Sequence, residues 1–107
     1  MAQKQESERV LLLRVLDRLN QDLPCAYHVK LRLLDLAKEF GYADERETTR
    51  DGKHFLITVC KGLEPRQAIE TLEHEYAHCL AWFSSPEDHG PEWGVAYSRI
   101  YSLIHES

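Results

Sequence analysis

His74, Glu75 and His78 stand in the chain as HEYAH, an HExxH motif, and His89 follows in PEDHGPEW with ten residues between it and His78. Histidines four apart on a helix lie about 6 Å apart along its axis and about 40° apart around it, so both imidazoles reach one ion. Glu75 projects about 100° around from His74, which places it against a water held by the ion rather than against the ion itself. The chemistry this spacing suits is hydrolysis with zinc as Lewis acid and Glu75 as general base.

A catalytic zinc ion usually takes three protein ligands and keeps a fourth position for water, so HExxH alone is incomplete. His89, Glu92 and His105 are the rivals for the third place. Gly90-Pro91 directly after His89 forces a sharp turn that can hold this imidazole over the motif face. Glu92 would instead give the two-His-one-Glu set of a gluzincin-type minimal peptidase, or cap the last helix. His105 is the one other histidine after the motif.

HExxH, a short loop and then HGPEW together resemble the SprT-like metalloprotease family, which includes bacterial SprT proteins, phage-encoded relatives and the animal protease that clears DNA–protein crosslinks. The likeness runs from Glu70 to about Ile104, and upstream only the helix-then-strands order agrees. It implies a small zincin-like domain, zinc on His74, His78 and His89, and Glu75 as catalytic base. It also implies a protein or peptide substrate and an intracellular, cytoplasmic setting, with a phage gene in a bacterial host as one source. Many members carry a C-terminal zinc ribbon or other DNA-binding tail. No cysteine follows Cys79 before Ser107, so direct DNA binding is expected only with an added module.

The elements that must position these residues are legible from periodicity. Glu64-Pro65 opens a helix whose pattern runs without a breaker to Ser84-Ser85-Pro86. On its wheel Ile69, Leu72, Tyr76, Leu80 and Phe83 gather on one side, while His74 and His78 fall opposite with Gln67 and Trp82. The histidines thus face a cleft rather than the core. After Pro91, a last helix puts Trp93, Ala96, Tyr97, Ile100 and Ile104 on one stripe.

Upstream, Val10 to Leu19 repeats at helical spacing from about Ser7, ending near Leu23-Pro24. YHVKLRLL alternates as a half-buried strand, and RDGK carries an Asp-Gly hairpin signal between strands near Glu45–Arg50 and His54–Cys60. The expected order is α-β-β-β-α-α: an α+β domain spanning 1–107, with a mostly antiparallel three-stranded sheet.

Other side chains are placed to assist. An exposed strand edge pairs with a substrate backbone, and HFLITVC, leading into the motif helix, is the candidate. Tyr97, Arg99 and Tyr101 on the last helix are candidate donors to transition-state charge, with core packing the plainer role for Tyr97. Trp82 and Trp93 are placed to wall the site, and packing explains them equally well. His28 and His54 read as surface residues.

Composition excludes several classes. With 43% apolar and 29% charged residues the chain is an ordinary globular protein. A net charge of −5 argues against gripping nucleic acid or anionic lipid by electrostatics, Lys30, Arg32, Arg46, Arg50 and Lys53 being the one basic patch. The apolar run Val10–Leu13 is broken at once by Arg14, so neither a signal peptide nor a membrane span is expected. Cys25, Cys60 and Cys79 never form CxxC and read as reduced, buried thiols. A domain in which zinc only staples the fold is the alternative to an enzyme, and Glu75 discriminates the two, because a structural site tolerates Gln there. Nothing in the sequence speaks to oligomeric state.

Overall fold

A computed structural model describes residues 2–84 and 88–106, with side chains from Glu8 onward. Helix α1 spans Ala2–Asp22, strands β1, β2 and β3 span Val29–Leu34, Gly41–Thr48 and Gly52–Cys60, and helices α2 and α3 span Pro65–Leu80 and Pro91–His105. The chain is an α+β domain in the expected element order.

Leu12, Leu16 and Leu19 recur at spacings of four and three, form one stripe of α1, and are all buried against β1 and α2. Pro24, which disfavours helical backbone at the residue before it, follows the end of the helix closely. Asn20 then binds the start of β1: its Nδ2 donates to the Val29 carbonyl at 2.9 Å, and its Oδ1 accepts from the Val29 N–H at 3.2 Å.

The sheet order is β1-β3-β2. β1 runs parallel to β3 in a register of Val29 on Phe55 through Leu34 on Cys60, and β2 runs antiparallel from Gly41 on Val59 to Thr48 on Gly52. The sheet is therefore mixed, one of its two pairings being parallel. The hairpin turns at Gly52, whose φ of +66° is the conformation that glycine adopts without steric cost.

HFLITVC is the central strand, not an edge, which corrects the expectation for substrate pairing. Phe55, Ile57 and Val59 point into the helical layer and are 0% exposed. Thr58 on the opposite face is equally buried, with its Oγ1 taking hydrogen bonds from Arg32 Nε and Nη2 at 3.1 and 3.0 Å. A strand covered on both faces belongs in the middle of a sheet. The polar GYADERET is β2, and a charged strand is the one that tolerates an edge. His54, read as a surface residue, is buried, with its Nδ1 3.0 Å from the Gly52 carbonyl.

The basic patch is largely consumed within the sheet. Lys30 pairs with Asp51 at 2.7 Å, Arg46 with Asp44 at 3.1 Å, and Arg32 also donates to the Tyr42 hydroxyl at 3.0 Å. All three cysteines are free, as expected, but only Cys79 is buried, Cys25 and Cys60 being half-buried. Among the described residues no helix is long and apolar enough to cross a membrane.

α2 begins with Pro65, tolerated there because the first-turn N–H groups have no intrahelical partner. Its Ala68, Leu72, Tyr76 and Cys79 enter the core, and the Tyr76 hydroxyl donates to the Leu23 carbonyl at 2.8 Å. α2 stops at Leu80, one turn short of the expected end. Beyond it the bonding tightens, Trp82 N–H reaching the Cys79 carbonyl at 3.3 Å and Ser84 N–H the Ala81 carbonyl at 3.1 Å. That turn lays Trp82 against Phe55 (ring centroids 5.1 Å apart) and Phe83 edge-on to Tyr27 at 5.7 Å. Phe83 is thereby 63% exposed rather than part of the α2 core stripe. The expected stop at Ser85-Pro86 lies outside the described residues. α3 packs its stripe on α2, with Ala96 and Ile100 buried.

Candidate metal centre

His74 and His78 stand one turn apart on the face of α2 turned away from Leu72 and Tyr76. His89 precedes α3 by two residues and has φ +58°, a left-handed backbone that non-glycine residues seldom adopt. Gly90 then serves as N-cap and Pro91 as first helical residue.

The three Nε2 atoms converge. They are separated by 3.3 Å (His74 to His78), 3.1 Å (His78 to His89) and 3.0 Å (His74 to His89). They form the one such group of histidine, cysteine or carboxylate donors among the described residues. Three neutral imidazoles cannot satisfy such a triangle by hydrogen bonds, because each Nε2 is a donor or an acceptor and never both. A cation among them resolves the conflict. An ion about 2.0–2.1 Å from each nitrogen in tetrahedral arrangement calls for separations of roughly 3.3–3.4 Å, close to those present. The residues therefore fit a metal. Burial, followed by the neighbouring imidazoles, lowers the His74 pKa, and burial is also the largest cause for His78, which favours in both rings the neutral form that ligation requires.

Glu75 lines the same open cleft of about 550 Å³ as the three histidines, together with Gly41, Tyr42, Ala43, Trp82 and Trp93. Burial pushes its carboxyl up to about 7 in the metal-free protein, with the negative charges of Asp88 and Glu39 adding to the effect. A carboxyl poised near neutrality is suited to moving protons in both directions.

Two tryptophans wall the cleft. Trp93 lies with its ring centroid 4.9–5.7 Å from all three imidazoles, and Trp82 donates from Nε1 to Glu45 on β2 at 3.1 Å. The cleft's other wall is β2, which pairs with β3 on one side only. Gly41 lets β2 approach α2: a Cβ there would stand 2.6 Å from the Thr58 carbonyl oxygen and 2.7 Å from Thr71 Cγ2.

The remaining candidates are dispersed. Glu92 lies in the first turn of α3, where a carboxylate suits the helix dipole, and faces a separate cleft with Arg99 and Leu80. It makes no side-chain cap. His105 is engaged elsewhere, its Nε2 2.7 Å from Oε2 of the buried Glu73. Tyr101 stacks on His105 at 4.6 Å and lines a cleft with Glu73. Tyr97 alone of the three proposed donors reaches the site, sharing a cleft with His74 and Glu75 and stacking on Trp93 at 5.1 Å. Burial pushes the Cys25 thiol up to about 11, and Cys79 rises too, so neither offers a ready thiolate.

Sequence reasoning missed Asp88 and the β2 wall. Oδ1 of Asp88 is 3.5 Å from His78 Nδ1, and Oδ2 is 3.5 Å from His89 Nδ1. Its place immediately before His89 was the available signal. For β2, counting back from Gly52 along a two-stranded hairpin leads to Gly41 opposite Val59.

No family model matches the chain. A segment of 67 residues is 37% identical to the human cation-independent mannose-6-phosphate receptor, covering 55% of this chain and 3% of that protein's length. The crystal structure of the metallopeptidase zymogen of Pyrococcus abyssi abylysin is similar at a TM-score of 0.49 and 23% identity, covering 94% of this chain and 81% of that one.

Proposed function

We propose that this chain is a zinc metalloendopeptidase of the SprT-like kind, with His74, His78 and His89 as ligands and Glu75 as catalytic base. The observation that carries the reading is the convergence of three Nε2 atoms within 3.3 Å of one another in a cleft that Glu75 also lines. A set of three imidazoles open to solvent on one side is a ligand set of catalytic zinc, whereas structural zinc sites are closed by four ligands.

When bound, zinc polarises the scissile carbonyl and acidifies the attacking water. Glu75 takes the proton from that water and delivers it to the departing amine, so no covalent intermediate with the protein forms. The unpaired edge of β2 at Gly41–Ala43 binds an extended peptide by backbone hydrogen bonds, and Trp82 and Trp93 border it. Tyr97 shares a cleft with His74 and Glu75, which supports its hydroxyl as the donor to charge on the carbonyl oxygen. Substrates are protein or peptide segments in an unfolded, extended state, met in the cytoplasm. Turnover is low and selective, because a domain of 107 residues offers few subsites, and DNA enters only through an added module.

The test is bound zinc per chain, by elemental mass spectrometry on untagged protein, for wild type and His89→Ala, followed by proteolysis by Glu75→Gln. The reading expects one zinc in the wild type, far less in His89→Ala, and a Glu75→Gln protein that keeps zinc and loses peptide hydrolysis. Undiminished zinc in His89→Ala would move the third ligand. A zinc-loaded wild type that cleaves no unfolded protein would make the site a structural staple.

A further inference from the structure

We propose that Asp88 is a positioning residue that clips the loop-borne ligand His89 to the helix-borne ligand His78. The inference rests on the zinc reading above and concerns how the ligand set is held together.

All three Nε2 atoms point inward, so Nδ1 of each ring is left to face outward. The two oxygens of the Asp88 carboxylate are divided between two such nitrogens, Oδ1 to His78 and Oδ2 to His89, each at 3.5 Å. A ligating histidine donates its second N–H to a carboxylate or carbonyl, which fixes the tautomer and the ring plane. Coordination draws charge from the ring and makes Nδ1–H a stronger donor, so a carboxylate at this position favours the loaded state. One carboxylate serving two rings adds a further effect. His78 sits on rigid α2, whereas His89 is held by a strained, left-handed backbone outside either helix. Their shared partner ties the second ligand to the position of the first.

The Asp88 side chain is 80% exposed, so removing it opens no cavity and leaves the core intact. The experiment measures the zinc dissociation constant by competition with a chromogenic chelator at pH 7.5. It compares wild type, Asp88→Ala, Asp88→Asn and the charge control Glu47→Ala on exposed β2. The expected result is about 10–100-fold weaker zinc binding for Asp88→Ala. Asp88→Asn is intermediate, because its amide still accepts from one ring, and Glu47→Ala matches the wild type. In zinc-loaded protein, nitrogen–proton NMR should show Nδ1–H signals of His78 and His89 that exchange rapidly with water in Asp88→Ala, while the His74 ring is unaffected. Unchanged affinity in Asp88→Ala, or equal weakening by Glu47→Ala, would overturn the assignment. A wild type that binds no zinc refutes the metal reading and the role of Asp88 with it, whereas zinc held equally by all four proteins refutes the role of Asp88 alone.

Discussion

Trp93 on α3 donates its indole N–H to the backbone carbonyl of His74 on α2, at 3.3 Å. The same indole lies against the rings of His74, His78 and His89, so one side chain joins the two helices and forms the apolar back of the histidine cluster. The carbonyl it binds belongs to the residue whose imidazole it touches. Replacing Trp93 with Phe keeps much of the ring and removes the donor. A loss of about 1 kcal/mol in urea unfolding is expected. Zinc affinity should fall with it, and unchanged values of both would show that the indole N–H supports nothing.

Gly41→Ala should disturb the β2 wall of the cleft. The added Cβ collides with the Thr58 carbonyl and with Thr71, neither of which is the free end of a long side chain. Relief requires β2 to move away from α2, at a cost of about 1–3 kcal/mol. Peptide hydrolysis is expected to drop while zinc stoichiometry stays at one, since all three ligands lie outside β2. An alanine variant as active and as stable as the wild type would refute the close approach.

Metal removal should loosen the fold. A ligand at 100 times its dissociation constant adds about 2.7 kcal/mol. In a domain of this size that corresponds to roughly 10 °C or more in Tm. Chelator should therefore lower the wild-type Tm and leave His89→Ala unmoved. Equal melting with and without chelator in the wild type would argue against a metal bound by the native state.

The pH dependence of the metal-free protein isolates Glu75. Burial, then Asp88 and Glu39, raise its pKa from 4.5 to about 7, so the folded chain holds a proton there that the unfolded chain has already released. This contribution to stability is whole below pH 4.5 and is lost as pH rises through 7. His74 and His78, with pKa values lowered from 6.5, act in the opposite direction, favouring the fold as pH climbs toward 6.5. The difference between Glu75→Gln and wild type removes them: the variant's relative stability should grow from pH 4.5 to 7 and then level. Parallel pH profiles would mean the carboxyl is unperturbed.

Much of the helical layer was legible because helical periodicity is local. Leu12, Leu16 and Leu19 announced the buried face of α1, and the stripe through Ala96 and Ile100 announced that of α3. The strands were read less well. GYADERET has little of the apolar alternation that marks a strand, so β2 was expected four residues late, and it forms because Gly41–Thr48 lie in register with the apolar β3. His54 looked polar enough for the surface, yet its place on the central strand buries it. Phe83 continued a helical stripe on paper, but the chain had already tightened after Leu80 to seat Trp82 on Phe55.

The sequence by itself determined the α+β class, the pairing of His74 with His78 and the side of α2 on which they stand, since these follow from the rise and turn of a single helix. Tertiary structure decided which distant group meets them. Glu92 and His105 were open to the same role in the linear chain, but α3 turns Glu92 into another cleft and commits His105 to Glu73, leaving His89 to meet the pair. It also decided that β2 is the free edge beside the cleft and that Asp88 spans two of the rings. These are distances between residues on separate elements, set by how helices and sheet pack, and no local periodicity encodes them.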